Sequence, residues 1–97
     1  MNYQITSDNI DLSPSMQSLA TEKFLRIERL LKDYPEETKS VRIVLNKGAE
    51  DGTFTVKMRL LVNGKEYFSD ETEFGLETAI VNTVEELVRM IEKAKDR

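Results

Sequence analysis

Asn63-Gly64 constrains the fold more than any other pair in the chain, because both residues tolerate positive φ and suit the two-residue type I′ turn of a tight β-hairpin. The flanking runs alternate as such a hairpin requires. From Thr53 to Val62, Phe54, Val56, Met58, Leu60 and Val62 fall on one face; the run from Lys65 to about Thr72 is more polar, as suits an edge strand. The turn then sets the register: Val62 faces Lys65, Leu60 faces Tyr67, and Lys57 faces Asp70 as a cross-strand ion pair on the outer side. Upstream, Lys39 to Asn46 also alternates, with Val41, Ile43 and Leu45 on one face and Arg42, Val44 and Asn46 on the other. Between these two runs, Lys47 to Gly52 carries Gly48 and Asp51-Gly52, the chemistry of a hairpin loop.

Two helical patterns surround this core. Ser13 reads as an N-cap and Pro14 as a first helical residue, opening a helix through Tyr34. Met16, Leu19, Ala20, Phe24, Ile27, Leu30, Leu31 and Tyr34 share an arc of about 140°, wide enough to lie on a sheet. Pro35 ends the helix, since the residue before a proline is pushed out of the α region. From Gly75 to the end, a second helix places Leu76, Ala79, Ile80, Thr83, Val84, Leu87, Met90, Ile91 and Ala94 on one arc. Asn2 to Ser7 alternates as a short first strand, and Asp8 to Leu12 connects it to the first helix. The expected fold is therefore α+β, in the order β-α-β-β-β-α: a four-stranded mixed sheet with a right-handed first crossover and both helices packed on one face. Gln4, Arg42, Thr55, Lys57, Arg59, Glu66 and Asp70 then lie on an open sheet face, with Val44, Leu61 and Phe68 as its apolar exceptions.

The 97 residues suit a single domain, 1–97. Without cysteine the chain has neither a disulfide framework nor a thiolate metal site, and without histidine it lacks the commonest general base. No signal-peptide pattern and no apolar run long enough to span a bilayer occurs, so the expected protein is soluble, cytoplasmic and without membrane attachment. The glycines are isolated, and the acidic doublets Glu36-Glu37, Glu50-Asp51 and Glu85-Glu86 do not converge by spacing alone. Neither an enzyme nor a cofactor or small-molecule site is expected.

The charge pattern is more informative. A formal net charge of −4 argues against generic nucleic-acid binding. Yet cations gather on the first helix and at Arg89, Lys93, Lys95 and Arg97, while acids gather at Glu36-Glu37, Glu50-Asp51 and Asp70 to Glu77. Lys23, Arg26, Arg29 and Lys32 step at three-residue intervals, winding from the apolar stripe onto the outer surface. Glu22 with Arg26, Glu28 with Lys32 and Arg29 with Asp33 are possible i,i+4 pairs of about 0.2 to 0.5 kcal/mol each, which would make the ladder a solvated surface. Lys23 has no such partner: either its stem snorkels over Leu19 and Ile27, or its ammonium is held for an anionic ligand. The C-terminal cations also suit the negative end of a helix dipole. Two helices side by side would bring Lys23 and Arg26 onto one face with Lys93 and Arg97, a face suited to phosphates.

NYQITSDNIDLSPSM, EKFLRIERLLKDY, LLVNGKEYF and AIVNTVEELVRMIEKAKDR, in this order and spacing, resemble the ribosome hibernation promoting factor family, also called ribosome-associated inhibitor or sigma-54 modulation proteins. The resemblance covers essentially the whole chain and implies a double-stranded-RNA-binding-domain-like layout. It also implies a monomer without cofactor that binds the small ribosomal subunit and its rRNA near the decoding centre, occluding tRNA and mRNA. The basic positions it assigns to RNA are Lys23, Arg26 and Arg29 on the first helix and Arg89, Lys93 and Lys95 on the second. Two departures stand out. Gly75-Leu76-Glu77 replaces an aspartate two positions before an aromatic, and Glu85-Glu86-Leu87 replaces an acid-lysine-leucine triplet, setting Glu86 by helical angle close to Lys93. The alternative is a diverged relative that binds a protein partner through its acidic surface or open sheet face.

Overall fold

The computed structural model describes residues 1–95. Its elements are β1 (Asn2–Asp8), α1 (Pro14–Leu30), a 3-10 turn (Glu36–Thr38), β2 (Lys39–Lys47), β3 (Phe54–Val62), β4 (Lys65–Glu73) and α2 (Leu76–Lys95). The strands lie in the order β1-β2-β3-β4; β1 and β2 are parallel and the other two pairs antiparallel. The expected β-α-β-β-β-α mixed sheet is therefore the fold. Asn63 (φ 49°) and Gly64 (φ 84°) adopt the positive φ that the turn requires. The three facing pairs read from that turn are all present: Val62 with Lys65, Leu60 with Tyr67, Lys57 with Asp70.

One face of the sheet supplies Val41, Ile43, Leu45, Val56, Met58, Leu60 and Val62 to a core closed by residues of both helices. Phe24 of α1 is fully buried and meets Tyr3 of β1 edge to face, with ring centroids 5.7 Å apart. Buried Thr83 satisfies its hydroxyl within α2, donating to the Ala79 carbonyl at 2.7 Å. Val88 is as buried as its neighbours although the apolar arc read for α2 omits it. It flanks that arc, and α2 packs against α1 as well as the sheet, which widens the buried stripe.

Ser13 caps α1 as expected, its Oγ accepting from the Met16 N–H at 3.2 Å. The other end differs from the reading through Tyr34. The last helical residue is Leu30, and Leu31 (φ −107°, ψ 14°) already leaves helical geometry. Leu31 stays buried, whereas Tyr34 turns outward and is 37% exposed. The orphan carbonyls at this end are taken by two lysines: Lys39 Nζ donates to Leu31 O at 3.1 Å and Lys95 Nζ to Leu30 O at 2.6 Å. Lys39 is only 3% exposed, on the inward face of β2, and its ammonium also meets Glu36 at 2.8 Å. Lys39, and secondly the N-terminal ammonium, hold the Glu36 carboxyl down at about 2.

The open face carries the residues expected of it, but its ion pairing differs. Among the described residues Lys57 and Asp70 face each other without closing to a salt bridge; Arg59 instead reaches diagonally to Glu66 at 3.2 Å. Diagonal neighbours on a sheet face lie within reach of a long arginine, and between exposed partners the preference is weak.

Candidate nucleic-acid interface

Three-residue spacing on α1 sets Lys23 beside the buried stripe, Arg26 further out and Arg29 on the solvent side. These three cations, with Glu22 and Leu25, form one wall of an open groove of about 490 Å³; Val81, Val84 and Glu85 of α2 form the other. Lys23 is half-buried and lines the groove, as suits a stem lying over apolar surface with its head toward solvent.

Among the described residues, no ion pair engages Lys23, Arg26 or Arg29. The expected pairs Glu22–Arg26, Glu28–Lys32 and Arg29–Asp33 are likewise open among these residues. Each would gain only a few tenths of a kcal/mol against the entropy of fixing two long side chains, about break-even on an exposed helix. Lys23, Arg26 and Arg29 thus form a row of cations with no ion pair among the described residues, along a groove that also holds Leu25, two valines and the acids Glu22 and Glu85.

The cations of α2 are differently placed. Arg89 is held by Glu86 at 2.6 Å, and that carboxylate raises the guanidinium above its ordinary pKa. Glu86 therefore neutralises Arg89, three residues on, rather than sitting free beside Lys93. Lys95 turns back to the end of α1. Lys93 is exposed in the last turn of α2, about 80° round the helix from the groove-lining Glu85. The α2 wall of the groove contributes two valines and an acid, so α1 and α2 do not merge there into one basic surface. Arg97, read as part of that surface, lies outside the described residues.

Among the described residues, no group of three or more acids, histidines or cysteines is arranged to hold a metal ion, and no helix is long and apolar enough to cross a membrane.

A family model described as Sigma 54 modulation protein / S30EA ribosomal protein matches residues 3–97. The chain is similar to the ribosome hibernation promoting factor of Klebsiella oxytoca, with 29% identity over 97 residues that cover 100% of this chain and 96% of that protein. It is 28% identical to the ribosome hibernation promoting factor of Escherichia coli strain K12, over the same shares. Among solved structures, the N-terminal domain of Protein Y from Thermus thermophilus superposes with a TM-score of 0.83 at 17% identity, covering 96% of this chain and 98% of that one. A ribosomal subunit interface protein from Coxiella burnetii gives a TM-score of 0.80 at 16% identity, covering 100% of both chains. At these identities the structural likeness speaks for the fold.

Proposed function

The chain belongs to the Sigma 54 modulation protein / S30EA ribosomal protein family, and we propose that it is a ribosome hibernation factor. In this reading residues 1–97 act as a single ribosome-binding domain, monomeric, cytoplasmic and without catalysis or cofactor. It binds the small ribosomal subunit and its rRNA near the decoding centre and blocks tRNA and mRNA by occupying their space. The observation that carries it is the row of Lys23, Arg26 and Arg29, which line an open groove with no ion pair among the described residues. Phosphate oxygens are the natural partners of such a row, and an unpaired cation gives up no existing contact to meet one. Arg89 and Lys93 add to the field from the outer side of α2, while Lys95 acts mainly through the end of α1.

Co-sedimentation with purified small subunits at low and moderate salt tests the reading. The expected result is binding that weakens steeply with salt, as counterion release dictates. A second reading, a diverged relative that binds a protein partner through its acidic surface, draws on Glu86 holding Arg89 and on Glu85 in the groove wall. Failure to sediment with subunits even at low salt would overturn the first reading and favour the second.

A further inference from the structure

The face of the sheet opposite the helices carries a different constellation. Pairing of the four strands puts Gln4, Arg42, Arg59 and Phe68 in one row across the sheet, and Thr6, Val44, Lys57 and Asp70 in the next. Arg42 and Arg59 are direct cross-strand partners, an arrangement that is destabilising by itself and becomes favourable when an anion lies between them. Arg42 has an amide neighbour, its Nε donating to Gln4 Oε1 at 3.3 Å. Phe68 is 43% exposed, and the Arg59 guanidinium lies 5.9 Å from its ring centroid.

Two depressions share this pair of arginines. One, of about 180 Å³, is lined by Arg42, Val44, Lys57, Arg59 and Phe68. The other, of about 310 Å³, adds the hydrogen-bonding side chains of Asn2, Gln4 and Ser40, with the Glu66 carboxylate at its β4 side. We infer that this face binds a short stretch of single-stranded RNA: Arg42 and Lys57 take its phosphates, a base stacks on Phe68 beside the Arg59 guanidinium, and the polar side chains of β1 and β2 meet an adjoining base edge or ribose hydroxyl. An aromatic ring within a basic field on an open sheet is the chemistry that holds unpaired bases. A protein partner would need a contiguous apolar anchor. Val44 and Phe68 share the smaller depression with three cations, and Leu61 lines the larger one beside Arg42, Arg59 and Glu66, so the apolar side chains here are interleaved with charge rather than gathered into one anchor. Glu66, paired with Arg59, and Asp70, facing Lys57, put negative charge along β4, so the RNA backbone runs over β2 and β3.

The surface is separate from the α1 groove, and its test is independent of ribosome binding. A fluorescent uridine decamer is titrated into the intact protein at low salt, and its contacts are mapped by backbone amide shifts. The expected result is saturable binding with shifts centred on β2, β3 and Phe68. Phe68→Ala weakens it about 5- to 100-fold while Phe68→Tyr, which keeps the ring, restores it. Arg42→Gln with Lys57→Gln flattens the salt slope by roughly 1.4. Shifts confined to the α1 groove, indifference to Phe68→Ala, or no binding would overturn the inference while leaving the ribosome reading intact. Equal or tighter binding of a decaglutamate peptide on the same residues would overturn it in favour of an acidic protein.

Discussion

The two helices carry similar basic clusters in sequence and opposite ones in space. On α1, Arg26 and Arg29 have acids at helical spacing yet form no ion pair with them among the described residues, Lys23 has no such acid, and all three line an open groove. On α2, Arg89 is held by Glu86, and Lys95 closes the end of the other helix. Counting cations therefore overstates α2. What matters for an anionic partner is whether a cation must first give up a contact, and a charged hydrogen bond is worth about 1.5 to 3 kcal/mol, less where water screens it.

The largest test of this asymmetry reverses charge on each helix in turn. Lys23→Glu with Arg26→Glu is expected to lower affinity for small subunits more than about 100-fold at low salt, and Arg89→Glu with Lys93→Glu about tenfold or less. Equal losses in a salt-resolved binding titration would break the comparison. Glu86→Lys works the other way, because it releases Arg89 and adds a cation beside it. Affinity should rise about 3- to 10-fold with a steeper salt dependence, and the fold should be unchanged. Unchanged or weaker binding would show that the outer side of α2 faces no phosphate.

Smaller effects separate structural from binding lysines. Lys95→Met removes the donor to Leu30 O, and should cost about 1 kcal/mol in chemical denaturation while leaving subunit affinity within about twofold. A drop in affinity without loss of stability would return Lys95 to the binding surface. The smallest effect concerns Glu36, whose carboxyl lies at about 2 against an ordinary 4.5, chiefly through Lys39. A depressed folded-state pKa contributes stability that is fully present above about pH 4.5 and lost as pH falls through 2. Glu36→Gln should accordingly flatten the acid limb in that window, and identical acid limbs for the two proteins would remove Glu36 from the account.

What could be read from sequence was local. Asn63-Gly64 sets its own φ values and hence the register of β3 and β4, and Ser13-Pro14 starts α1 with its own atoms. Lys39 was placed on its strand, but nothing in an alternating run shows that an inward lysine will find a helix end to cap. Glu86 had two cations within reach on one helix, and rotamer choice decided for Arg89. The helical angles of Lys23 and Arg26 were legible; that Arg26 forms no ion pair with Glu22 among the described residues was not, because pairs near break-even leave no trace in spacing. The burial of Val88, at the flank of its arc, depends on elements distant in the chain that pack around α2 and so leaves no mark in the local pattern.

The two lysines at the end of α1 also bear on how the fold is reached. Lys39 comes from β2, eight residues after the carbonyl it meets, and Lys95 from the last turn of α2, 65 residues after its own. A chain emerging in order can satisfy the first carbonyl early, but the second must wait until α2 has formed and docked, after a long loop has closed. The last turn of α1 is thus fastened by the last turn of the described chain, and amide exchange there reports the completion of the whole sheet-and-helix assembly rather than the birth of a single helix.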